Sequence, residues 1–132
     1  MNKLSHFRGV QVIFQETVHV KEGVVCNIYL FKDDSSKDLA IVRVNSKSHT
    51  PLQKVVHGDR TIEGYLEGAG ELKVVRTNGE EQIITFPSKS NEEVMFSIGD
   101  TMQWCANKGE QLTFYEICTP PYKDGRFINI EA

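Results

Sequence analysis

The sequence predicts an all-β chain whose strands close on one another as a jelly roll. Three observations carry that expectation. Short runs rich in β-branched and aromatic residues recur along the 132 residues, separated by turn signals at regular spacing. No run carries an apolar stripe at 3.6-residue spacing, and Ser88 to Glu93 would cap a single turn at most. The stretch Thr61–Val75 reads as a strand, a tight Gly-rich corner and a second strand. Within it Ile62 and Leu66 fall on one face and Glu63 and Tyr65 on the other. Gly68 and Gly70 stand where the chain must turn or bulge, because Gly takes positive φ without steric cost. Leu72, Val74 and Val75 then resume an apolar strand.

The elements follow in order. Gly9–Phe14 and Val24–Phe31 have strand composition, and Lys32–Asp38 is a polar turn. Leu39–Val44 is a further strand. Ser46–Pro51 reads as a loop, with Pro51 holding His49 and Thr50 extended. Leu52–His57 is a short strand before the turn Gly58–Arg60. After the central pair, Asn78-Gly79 is a strong hairpin signal, with Gln82–Phe86 pairing back. Pro87–Glu93 is a loop, and Val94–Ile98 leads into a turn at Gly99-Asp100. Thr101–Ala106 and Gln111–Cys118 are expected to form a second hairpin around Asn107–Gly109, followed by an extended tail over 119–132. No linker or low-complexity segment divides the chain. One domain is expected over 1–132, with N-terminal strands at about 9–45 and the barrel core at about 40–121.

Composition narrows the function. Fifteen basic and 18 acidic side chains give a formal charge of -3, which lacks the basic footprint of a general nucleic-acid binder. No basic amphipathic stretch suggests a membrane surface. No segment approaches the roughly 20 apolar residues of a membrane helix, and Met1–Arg8 has no signal-peptide core. Cys26, Cys105 and Cys118 form no CxxC pair; an odd count of this kind suits free thiols in the cytoplasm. No Ser-His-Asp elbow, phosphate loop or nucleotide fingerprint is present.

Tyr65–Leu72 resembles the corner after the first cupin motif. Ser97–Thr101 is similar to the Gly-Asp turn that opens the second motif, and Phe114–Pro121 to the strand and Pro-rich exit that follow it. The resemblance covers about residues 40–121 and implies a cupin-type jelly-roll β-barrel (a double-stranded β-helix) with a pocket in its mouth, commonly dimeric. The family's metal site takes two His and a Glu from the first motif and a His from the second. Counting back from Gly68 puts Val55 and His57 at the His pair and Thr61 at the Glu. Reading forward from Thr50 puts Gln53 and Val55 there, ahead of Glu63. The second motif, Met102–Ala106, has no His. The expectation is therefore no tightly bound metal; if one is present, its ligands are His57, Glu63 and Gln103, a poor set for a divalent transition metal.

Thr61, Glu63 and Tyr65 share a strand face, and two readings stay open. Either that face looks into the barrel, with Arg43 or Arg60 compensating Glu63, or Ile62 and Leu66 are core and Glu63 is solvated. On the first reading His57, Glu63 and Tyr65 are the candidates for proton transfer, His57 because its pKa lies near neutrality. Arg43, Gln53, Arg60, Gln103, Trp104 and Glu116 are the candidate ligand-binding residues, and Arg126 is a candidate anion clamp. Glu116 between Phe114 and Cys118 would give a second interior carboxylate, and paired carboxylates can divide acid and base roles. Three functions fit. One is a homodimeric, metal-independent binder of a small polar molecule, a sugar derivative or an organic acid. Another is an isomerase, epimerase, lyase or metal-dependent oxygenase on the same scaffold. The third is an inert structural or regulatory barrel.

Overall fold

The computed structural model describes residues 3–58, 60–121 and 127–131. Among these, every regular element is a strand: β1 (His6–Phe7), β2 (Val10–Lys21), β3 (Val24–Phe31), β4 (Asp34–Val44), β5 (Leu52–Val55), β6 (Arg60–Gly68), β7 (Gly70–Val75), β8 (Glu81–Phe86), β9 (Val94–Phe96), β10 (Thr101–Ala106), β11 (Leu112–Thr119) and β12 (Phe127–Glu131). They form two sheets, β1-β2-β3-β4-β11-β6-β9 and β12-β5-β10-β7-β8, with every pairing antiparallel. The all-β jelly roll expected from the sequence is the observed architecture.

Three features differ from the expected elements. β2 runs on through Gln15–Lys21 against β3, and β4 begins at Asp34, inside the run read as a turn. The β4 extension is polar, and the β2 extension alternates Val18 and Val20 with polar residues; both are held by pairing with β3. The second hairpin is also corrected. β10 pairs with β5 and β7, whereas β11 pairs with β4 and β6 in the other sheet. Residues 107–111 therefore carry the chain from one sheet to the other. The Gly68 corner does the same between β6 and β7. These two crossings bind each other: Ala69 N–H donates to the Gln111 carbonyl (3.2 Å) and Asn107 N–H to the Ala69 carbonyl (3.0 Å). Gly68, at φ 91°, has the Gln111 carbonyl where a Cβ would stand, so the close crossing excludes any side chain there. The Asn78-Gly79 hairpin joins β7 to β8 as expected, with Gly79 at φ 88°.

Apolar residues fill both faces of the larger sheet. Between the sheets lie Val24, Val42, Val44, Leu72, Val74, Phe86, Met102, Trp104 and Phe114. On the outer face Phe7, Val12, Tyr29, Leu39, Ile41 and Tyr115 form a second cluster. There Arg8 pairs with Glu93 (2.8 Å) and donates to the Tyr115 hydroxyl, which in turn donates to Glu93 Oε2 (2.5 Å). At the Gly99-Asp100 turn the buried Asp100 carboxylate accepts from Ser97 N–H (2.8 Å), Thr77 N–H (3.1 Å) and Arg76 (2.9 Å).

Candidate functional site

Strand parity builds the site. On β4 Asp38, Ala40 and Val42 face the gap between the sheets, and on β3 Cys26 and Ile28 do so. On β11 Phe114 and Glu116 share that face. Antiparallel pairing sets Glu116 directly opposite Glu63 on β6 and opposite Ala40 on β4. A bulge makes this possible: Thr113 pairs with Glu67 and Phe114 with Tyr65, so Leu66 is the extra residue. Glu63 and Tyr65 thus point inward and Leu66 lies outside, 41% exposed. The inward reading of Thr61, Glu63 and Tyr65 is the one observed: all three are shielded, Thr61 and Glu63 completely.

From the facing sheet comes Trp104 on β10, 1% exposed. Its backbone is pinned by Thr50, whose Oγ1 accepts from Trp104 N–H (2.9 Å) and whose N–H donates to the Trp104 carbonyl (2.9 Å). Its indole stacks between Phe86 (centroids 5.4 Å apart) and Phe114 (4.3 Å), and Nε1–H donates to Glu63 Oε1 at 2.5 Å. Glu63 also shares a hydrogen bond with Glu116, which accepts from Cys118 Sγ (3.4 Å).

Above this group opens a cavity of about 370 Å³. Asp38, Glu63 and Glu116 supply its carboxyl groups, and Trp104 and Phe114 its aromatic wall. Val18 and Val20 of β2 and Gln53 and Asn129 of the opposite sheet edge line it as well. Gln53 Nε2 donates to Asn129 Oδ1 at 3.2 Å. Among the described lining residues there is no Lys or Arg. Burial holds the Glu63 carboxyl well above the usual carboxylate range. The negative charge of Glu116 and the hydrogen bond with it act in the same direction, and the indole N–H opposes them. Glu63 is accordingly the carboxyl of the pair that favours its protonated form, buried as it is beside a second carboxyl group. Burial, then Glu116 and Asp38, push the Cys26 thiol up to about 12, so it is no thiolate nucleophile.

Of the candidates, Glu63, Trp104, Glu116 and Gln53 meet at this cavity. Five others do not. His57 is exposed in the bend after β5, because β5 ends at Val55 and releases the chain into the turn. Tyr65 spends its hydroxyl on the Gly68 carbonyl (2.7 Å) and stacks its ring on Phe86 (5.3 Å), closing the corner. Arg43 follows Leu39 and Ile41 onto the outer face of β4, so it does not compensate Glu63. Arg60 is exposed at the start of β6. Gln103 alternates with inward Met102 and Trp104 and so points away; its Nε2 donates to the Thr50 carbonyl (3.0 Å) and lies 3.1 Å from His49 Nδ1. Arg126 lies outside the described residues. Asp38 and Cys26 were not singled out from the sequence. Asp38 sits in a polar run, and its alternation with Ala40, Val42 and Val44 was the available signal.

The set His57, Glu63 and Gln103 does not converge. Among the described residues no group of three or more His, Cys, Asp and Glu side chains is placed to hold a metal ion. The residues do not fit the His-rich centre that the fold family implies.

No family model and no curated protein sequence matches the chain. Solved structures do. A domain of oxalate decarboxylase from Bacillus subtilis, an enzyme described with Mn(II) centres, superposes with a TM-score of 0.71 at 17% identity, over 88% of this chain. The chain spans 30% of that enzyme's length. A cupin-2 domain protein from Rhodospirillum rubrum superposes with a TM-score of 0.63 at 15% identity, covering 94% of this chain and 78% of that one. Similarity at these identities shows a shared fold.

Proposed function

With the cupin fold as the premise, we propose that the chain binds a small polar molecule in the mouth of its barrel without a tightly held metal. The observation that carries this reading is the cavity of about 370 Å³, whose mainly apolar walls end on a few convergent polar groups, Glu63, Glu116 and the Trp104 indole behind them. Ligand sites have this composition and this size, roughly 300–1,000 Å³. The ill-fitting ligand set speaks for a metal-free site here, in contrast to the Mn(II) centres of the decarboxylase.

The test is a thermal-shift panel of sugars, polyols, amines and carboxylates on the full chain. A true ligand at 100 times its Kd stabilises by about 2.7 kcal/mol. The shift should vanish in Ala40→Met, which fills the cavity from β4. A panel without any Ala40-dependent shift would favour the inert barrel. Stoichiometric transition metal in untagged protein prepared without chelator would overturn the metal-free part.

A second reading draws on the Glu63–Glu116 pair. A carboxyl that favours its protonated form, Glu63, beside a second carboxyl group, Glu116, can give and take a proton on a bound molecule, as an isomerase or lyase requires. Solvent deuterium entering a bound compound, and not entering it with Glu63→Gln, would move the chain from binder to enzyme.

A homodimer is the proposed assembly. β1 covers β2 only at Val10 and Gln11, and no described strand covers the rest of that edge; Ile128 and Ile130 stand 49% exposed on edge strand β12. Uncovered edges invite pairing. Light scattering should return twice the 15.0 kDa chain mass, and a monomer would contradict the proposal.

A further inference from the structure

We propose that the molecule taken up by this cavity carries a protonated amine, seated on Glu116, with a short apolar body against the valine and aromatic walls. This rests on the binding reading above and names the ligand's class. Glu116 is half-buried and faces the cavity from the middle of β11. Among the described residues its partners are Glu63 and Cys118, neither of them cationic. A carboxylate offers about four acceptor positions, so two remain for a ligand. No Lys or Arg among the described lining residues sits against Glu116; the basic side chain of the lining is His19, exposed on β2. An ammonium group brought to Glu116 makes charge-assisted hydrogen bonds, the stronger kind, at its remaining acceptor positions.

The alternatives fit less well. A carboxylate ligand would bring a like charge against Glu116. A metal cation needs three or more convergent donors, which the described residues do not present. A fully hydroxylated sugar would strand hydroxyls against Val18, Val20, Val24 and Ile28. An amine with a short hydrocarbon body matches both halves of the lining, and the Trp104 and Phe114 rings offer it further attraction.

The test uses three compounds of one length: n-butylamine, 1-butanol and butyrate. At pH 7.5 they present a cation, a neutral head and an anion on the same chain. Binding to the full-length protein is titrated by calorimetry and located by saturation-transfer NMR. Butylamine should bind at least tenfold more tightly than butanol, with butyrate weakest. In Glu116→Gln, which keeps the side-chain shape, the amine and the alcohol should become equal. Unliganded melting of that variant reports whether it is folded; should it not fold, the rank order in the parent protein decides. Butyrate or butanol binding as tightly as the amine, in competition with a hit from the panel, would overturn the amine while leaving the pocket intact. A tenfold preference that survives in folded Glu116→Gln would overturn the seat on Glu116. Mn²⁺ binding that depends on Glu63 and Glu116 and displaces butylamine would overturn the organic cation. No binding by any of the three, together with an empty thermal-shift panel, would overturn the binding reading itself.

Discussion

Trp104→Ala lowers the unfolding free energy by about 3–5 kcal/mol, the usual range for deleting a buried aromatic. Trp104 is 1% exposed and is the middle ring of the stack Phe86–Trp104–Phe114, which bridges the two sheets. Removing it opens a void beside the existing cavity and strips Glu63 Oε1 of its donor. Trp104→Phe separates the two losses. It keeps a ring in the stack but no N–H, and should cost about 1–3 kcal/mol, the range for an orphaned buried polar partner. The chain has a single Trp, so urea transitions should be followed by far-UV circular dichroism rather than fluorescence. An alanine variant within about 0.5 kcal/mol of the parent, the scale of ordinary surface changes, would show that the indole does not hold the sheets together.

Glu63→Gln should change how stability depends on pH. The folded state holds the Glu63 carboxyl above its ordinary pKa, chiefly by burial and then through Glu116. Between the ordinary carboxylate range and that raised value, the folded chain keeps a proton that the unfolded chain has released. Stability contributed by this group is thus fully present below the ordinary range. It falls as pH rises, by about tenfold in the folding constant per pH unit, until the folded carboxyl also ionises. Glutamine at this position presents Oε1 to the indole N–H and donates from Nε2 to Glu116, as the protonated acid does, without the ionisation. The variant should match the parent at pH 4–4.5, about where a free carboxyl titrates. Up to pH 8 it should exceed the parent by a margin that grows with pH for as long as the folded parent keeps the Glu63 proton. Urea midpoints across that range check it, and parallel pH profiles for the two proteins would exclude Glu63 as the source of the slope.

The strand runs, the Asn78-Gly79 hairpin and the Gly68 corner were legible because each depends on local chemistry: β-branched composition, positive φ and the absence of a helical stripe. Glu63 was legible by alternation with Ile62, and Glu116 by its place between Phe114 and Cys118. Arg43 and Gln103 were misplaced because alternation says which residues share a face, not which face meets the opposite sheet. His57 was misplaced because a one- or two-residue error in a strand's end moves a side chain from a barrel wall into a turn. Asn107–Gly109 has turn residues whether it joins two neighbouring strands or carries the chain between sheets, and only the partners of β10 and β11 distinguish the two.

By itself the sequence determined an all-β chain and the turns at Gly68 and Asn78-Gly79, since these follow from residue type and spacing. Only the tertiary structure decided that Asp38, Glu63 and Glu116 line one cavity with Trp104 behind them, because these residues come from four strands of two sheets. Their meeting is set by long-range register and by the bulge at Leu66, and no local pattern in the chain encodes either.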